Sequence, residues 1–99
     1  MSNIETKNPE TESLELLQFY AEWCQPCRMM MPVIASIQQK QYDWLTIKQI
    51  DVDAESIIAN QFNIRSIPTF VAIKNNKEVW RKAGMINENE LLEILRSLK

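Results

Sequence analysis

Both cysteines of the 99-residue chain lie in one five-residue stretch, Trp23-Cys24-Gln25-Pro26-Cys27. An apolar run leads into this stretch and a helical pattern leaves it. Two thiols with two residues between them close a disulfide across almost no loop, which suits exchange chemistry; a bond that staples a fold joins distant segments. The run Leu14 to Ala21 (LELLQFYA) carries Leu16, Leu17, Phe19 and Tyr20 and suits a short strand buried on both faces. Gln18 interrupts it and reads as a polar residue near a strand edge. From Cys24 to about Gln41, residues Met30, Met31, Ile34 and Ile37 recur at three- and four-residue spacing, the stripe of a helix packed on a sheet. Cys24 therefore falls at a helix N-terminus, where unpaired N–H groups and the positive end of the dipole favour a thiolate. Such positions lower a cysteine pKa from about 8.5 into the range of roughly 3.5 to 7.5. Cys27 lies one turn further on, within disulfide reach.

Absences narrow the chemistry. The chain has no histidine, which excludes Ser-His-Asp and Cys-His catalysis and any site built on imidazole ligands. Its only glycine is Gly84, so there is no phosphate-cradling loop and no route to a bound flavin or nicotinamide by such a loop. No cofactor is expected, no metal site either, and electrons must come from another protein. Net charge is −2, with Lys and Arg spread along the chain, so neither nucleic acid nor an anionic membrane is favoured as a partner. The start, MSNIETKNPETESLE, lacks the basic and apolar segments of an export signal, and no apolar run approaches the roughly 18 residues of a spanning helix. A reducing cytoplasm is the expected location, and there a CxxC points to redox or metal chemistry.

The remaining chain reads as one domain. Residues 1–13 form a polar lead-in, with a short helical turn expected near Pro9 to Glu15, and residues 14–99 form the folded unit. Pro26 suits the first turn of the helix, whereas Pro32 lies in its interior and should bend it. The run Met29-Met30-Met31 reads as core filling in preference to a docking surface. A second strand is expected over Trp44 to Val52, a short helix around Glu55 to Phe62, and a third strand over Phe70 to Lys74. Asn75-Asn76 suits a tight turn into a strand from Glu78 to Ala83. Asn87 followed by Glu90 caps a last helix striped by Leu91, Ile94, Leu95 and Leu98. Trp44 and Trp80 are candidates for a partner surface. The order gives an α/β fold: a parallel crossover, then an antiparallel hairpin, in a central mixed four-stranded sheet flanked by helices, with room for a short fifth strand.

A CxxC in a βαβ setting resembles thioredoxin. FYAEWCQPC resembles the active-site strand and turn of that family, Arg28 to Pro32 (RMMMP) the helix after it, IRSIPTF the loop with its cis-proline, and Gly84 the glycine after the last strand. The likeness covers roughly residues 14 to 99, with the first strand and helix of a full thioredoxin shortened or missing. It implies a thioredoxin-like fold and a thiol-disulfide oxidoreductase that reduces protein disulfides, contributing to electron transport and cell redox homeostasis. By the same likeness Cys24 is the attacking thiolate and Cys27 the resolving thiol. Ile67 and a cis Pro68 would present backbone to an extended substrate, while Trp23, Gln25 and Pro26 border it. The implied partners are disulfide-containing proteins and a thioredoxin reductase-like electron donor, and the chain is expected to act as a monomer.

Three residues depart from the family. Gln25 replaces a glycine between the cysteines, Gln18 a buried aspartate thought to help deprotonate the resolving cysteine, and Gln49 the lysine paired with it. Removing both charges together avoids a lone buried one. Activation of Cys27 is then expected to rely on water or on nearby Glu22. Other readings are a disulfide oxidase or isomerase, since direction follows potential; an interaction module whose cysteines are structural; and a zinc half-site completed by another chain.

Overall fold

The computed structural model describes residues 13–99. These hold β1 (Leu14–Tyr20), α1 (Gln25–Gln39), β2 (Leu45–Asp51), α2 (Ser56–Gln61), β3 (Thr69–Lys74), β4 (Lys77–Ala83) and α3 (Glu88–Leu98). The four strands form one sheet in the order β2-β1-β3-β4, with β1 parallel to β2 and antiparallel to β3, and β3 antiparallel to β4. The expected mixed sheet flanked by helices is therefore present. The helical turn expected near Pro9 to Glu15 lies mostly outside the described residues; at its end it is replaced by strand, because Leu14 and Glu15 are paired on both sides in β1.

The period of two along the inner strands divides the core into layers. Leu14 and Leu16 of β1 join Phe70 and Ala72 of β3 beneath Met30, Ile34 and Ile37 of α1 and Leu91, Leu92 and Leu95 of α3. On the opposite face, Leu17, Phe19 and Val71 pack with Ile50 and with Ala59 of α2, and the Phe62 ring lies 5.5 Å from that of Phe19. Burial on both faces is what the unbroken apolar run in β1 required.

Asn75 and Asn76 both take left-handed backbone (φ 54° and 64°), the geometry a two-residue hairpin demands and asparagine tolerates. A register shift between Ala72 and Ile73 lets Trp80 and Glu78 pair with those neighbours, leaving Val79 as the extra, exposed residue of edge strand β4. Asn87 caps α3 by accepting the Glu90 N–H at 2.8 Å. The helix α1 remains continuous on both sides of Pro32.

Four expectations are corrected. Gln18 is not near a sheet edge: it occupies an inner strand and is fully buried. In the methionine run only Met30 fills the core; Met29 is exposed and Met31 half-buried, because consecutive helical positions turn about 100° apart. Trp44 and Trp80 are half-buried and packed against the larger cluster, so their rings serve the interior more than a free surface. Leu92, outside the expected stripe, is buried with Leu91 and Leu95.

Candidate active site

The disulfide Cys24–Cys27 lies where β1 ends and α1 begins, its Cα atoms 5.3 Å apart. Cys24 is the N-cap of α1, with extended backbone (φ −89°, ψ 110°), and its Sγ accepts the backbone N–H of Cys27 at 3.3 Å. A sulfur thus fills the place that a serine or aspartate oxygen takes at other helix starts. That N–H and the helix dipole both favour negative charge on Cys24 once the bond is opened. Cys24 is 5% exposed and Cys27 0%, so the sulfur an incoming group can reach is that of Cys24. Tyr20, Ala21, Val52 and Ile67 surround the pair with apolar contact.

The loop before β3 closes over this sulfur. The Ile67–Pro68 peptide is cis, and the Ile67 carbonyl oxygen lies 3.8 Å from Cys24 Sγ. In the disulfide the sulfur has no proton to donate; in a thiol, the same carbonyl is an acceptor close at hand. The loop is fastened from both ends: the Thr69 hydroxyl donates to the Ser66 carbonyl at 2.6 Å, and the Gly84 N–H to the Pro68 carbonyl at 2.8 Å. Pro68 itself is buried.

Trp23 is 70% exposed, yet its indole N–H donates to the Asp53 carboxylate at 2.8 Å. Asp53 is presented by the turn after β2, where the Asp51 carboxylate accepts the N–H groups of Asp53 at 2.9 Å and Ala54 at 3.4 Å. Between Trp23, α2 and Ile67 opens a cavity of about 260 Å³, with Ala59, Asn60 and Ile64 among its walls. Gln25 and Pro26 are exposed in the first turn of α1.

Beneath the site, Gln18 and Gln49 are direct register partners on β1 and β2, and the Gln49 side-chain amide donates to Gln18 Oε1 at 2.9 Å. A neutral side chain answers the Gln18 carbonyl oxygen here, where a charge would need a counter-charge. Met31 completes the group: its Sδ lies 3.3 Å from Gln49 Nε2 and 3.9 Å from Gln18 Nε2. Glu22 is exposed, and its contact inside the site is made by its carbonyl, which accepts from Arg28 Nε at 3.0 Å.

The structure thus gathers Trp23, Cys24, Gln25, Pro26, Cys27, Ile67 and Pro68 at one end of the sheet, with Gln18 and Gln49 in the layer behind. Sequence reasoning missed Asp53, Thr69 and Met31. Thirty positions separate Asp53 from Trp23, and no periodicity links them; the available hint was Asp51-Val52-Asp53 at a strand end, a composition that favours turns.

A thioredoxin family model matches residues 3–97. A thioredoxin from Mycoplasmoides gallisepticum is 36% identical over 86 residues, covering 87% of this chain and 85% of the relative. The chain belongs to the thioredoxin family. A thioredoxin from Chlamydia muridarum is 38% identical over 82 residues, covering 83% of this chain and 79% of the relative. The X-ray structure of Fasciola hepatica thioredoxin superposes with a TM-score of 0.82 at 33% identity, covering 91% of this chain and 85% of that one. With the family comes the chemistry of its CxxC pair: the chain is a thiol-disulfide oxidoreductase of the protein-disulfide reductase kind, with Cys24 and Cys27 as its redox-active centre.

Proposed function

We propose that Cys24 is the nucleophile and Cys27 the resolving thiol in the reduction of disulfides in other proteins. The Cys24 thiolate attacks one substrate sulfur, the substrate S–S bond breaks, and a mixed disulfide forms as the other substrate sulfur leaves as thiolate. Cys27 loses its proton and attacks Cys24 Sγ; the mixed disulfide breaks, the second substrate sulfur leaves, and the chain is left with its Cys24–Cys27 disulfide. Two electrons and two protons from an external dithiol restore it, a task for a thioredoxin reductase-like donor. The observation that carries this reading is the asymmetry of the pair: a partly reachable sulfur capping a helix, and a fully buried one behind it.

Ile67 and Pro68 border the approach to Cys24 on one side, and Trp23, Gln25 and Pro26 on the other, forming the substrate contact surface. Gln18, Gln49 and Glu22 modulate the second step. With a neutral pair behind the helix, proton removal from Cys27 falls to water or to Glu22 at the rim. Among the described residues no helix is long and apolar enough to cross a membrane; a reducing cytoplasm and a monomeric state fit a chain that must be re-reduced after each turnover. Trapping tests the assignment: Cys27→Ser should accumulate a covalent adduct with a disulfide-containing protein, and Cys24→Ser should not. An adduct formed only by Cys24→Ser would reverse the roles.

A further inference from the structure

The thioether of Met31 has an unusual position. It belongs to α1, four residues after Cys27 and so on the same side of the helix one turn further on. Unlike Met30, which is 1% exposed in the apolar cluster, Met31 is half-buried and lines an open cavity of about 340 Å³ with Tyr20, Ala21, Glu22 and Arg28. Two amide donors converge on its sulfur, from Gln49 at 3.3 Å and Gln18 at 3.9 Å. A thioether is a weak acceptor, and among the described residues the fully buried Gln18 amide nitrogen has this long contact as its one hydrogen-bond partner. The donors are therefore better matched to an oxygen than to the sulfur now beside them.

We infer that Met31 is an oxidation site: peroxide converts its thioether to a sulfoxide that the side-chain amides of Gln49 and Gln18 hold, one helical turn from the redox pair. The sulfur lone pair attacks a peroxide oxygen and the O–O bond breaks. Sulfur is oxidised by two electrons, and hydrogen peroxide is reduced to water. At most core methionines a sulfoxide buries a polar oxygen without a donor. Here the donors are already in place, so oxidation leaves the fold intact. It changes the layer behind Cys27, because the Gln49 amide now shared between Gln18 Oε1 and the sulfur is drawn toward the new oxygen. Peroxide thereby resets the exchange equilibrium of Cys24–Cys27 without touching either cysteine.

The test uses the full chain with the exposed Met29 and Met85 replaced (M29L/M85L), in its disulfide form so that no thiol consumes oxidant. Timed hydrogen peroxide treatment followed by tandem mass spectrometry should show Met31 oxidised at least about tenfold faster than Met30. Thiol-disulfide equilibration against glutathione should then differ by about threefold or more between oxidised and untreated protein, with no difference when M31L is added. In a Q49L background, oxidation of Met31 should lower the melting temperature, and in the parent it should not. Equal rates at Met30 and Met31, or an exchange equilibrium unmoved by a Met31 sulfoxide, would overturn the inference. The equilibrium comparison rests on the proposed exchange reaction, while the rate comparison stands without it. Failure of untreated protein to exchange would strike that reaction and leave the oxidation site to be judged on its rates.

Discussion

The two ends of α1 use polar groups for opposite purposes. At its start, the capping side chain is a sulfur that must also react, and single hydrogen bonds surround it: Trp23 to Asp53, Thr69 to Ser66, Cys27 to Cys24. Beyond its other end, past Lys40, the chain packs Tyr42 on Trp44 with ring centres 5.0 Å apart. Arg96 lies over Tyr42 and donates to its hydroxyl at 2.9 Å, and Lys99 lies 4.8 Å over the Trp44 ring. That end fastens α3 to the rest of the molecule by cation–aromatic contact and by the apolar cluster between the helices and the sheet. The far end carries no reacting group, whereas at the near end the capping sulfur is itself the reacting atom. Substitutions at the two ends should therefore separate activity from stability.

The largest separation is expected from Cys24→Ser. Turnover of a protein disulfide should fall by at least about a thousandfold, while thermal unfolding measured under reducing conditions stays that of the reduced parent. A large loss of stability in that variant would show that the reacting end also holds the fold together. In the other direction, Leu95→Ala opens a cavity in the larger cluster and should cost about 2 to 5 kcal/mol in denaturant unfolding. Its thiol-disulfide equilibrium should match the parent, because Leu95 packs among the apolar side chains of that cluster and has no contact with the cysteine pair.

A smaller effect is expected at the reacting end. Asp53→Ala leaves the Trp23 indole without its acceptor in an exposed place, so stability should drop by no more than about 1 kcal/mol. Removing the bond that orients Trp23 should lower kcat/KM for a protein substrate by about three- to tenfold, and Trp23→Phe should reproduce the loss without adding to it in the double variant. The smallest effect lies on edge strand β4. A hydrogen bond from Arg81 holds the Glu78 carboxyl below its ordinary pKa, with the Arg81 charge adding to this and partial burial opposing it. A depressed carboxyl contributes stability above its unfolded-state pKa and loses it as pH falls through the lower folded-state value. Acid titration of unfolding should therefore show a contribution lost below the ordinary carboxylate range, absent in Glu78→Gln, and for so exposed a pair no larger than about 1 kcal/mol.

Local rules made much of this legible beforehand. Asn75-Asn76 named its turn because few residues accept two successive left-handed conformations, and Asn87 named the start of α3 because its side chain answers an N–H three residues on. The cysteine spacing and the apolar strand before it located the site for the same reason: each is a short-range requirement of the chemistry. The residue pattern alone misplaced Gln18 at a strand edge, because a single polar residue in an apolar run gives no sign of a partner on another strand; the family resemblance named that partner, Gln49. Asp53 reaches Trp23 and Met31 reaches the two glutamines by the same kind of non-local meeting, set by register and helix rotation more than by composition. The aromatic clamp at the far end joins residues 54 apart, and only the finished fold brings them together.

Cys24 and Cys27 are proposed to form a dithiol pair poised to reduce other proteins despite the neutral Gln18 and Gln49 behind it. The most direct measurement is the equilibrium reduction potential of the pair in dithiothreitol and glutathione buffers, read by thiol labelling, with Cys24→Ser as control. A protein-disulfide reductase should give a strongly reducing value, around −270 mV. A value near roughly −120 mV, where disulfide-forming oxidants lie, would contradict it and reverse the direction of the reaction.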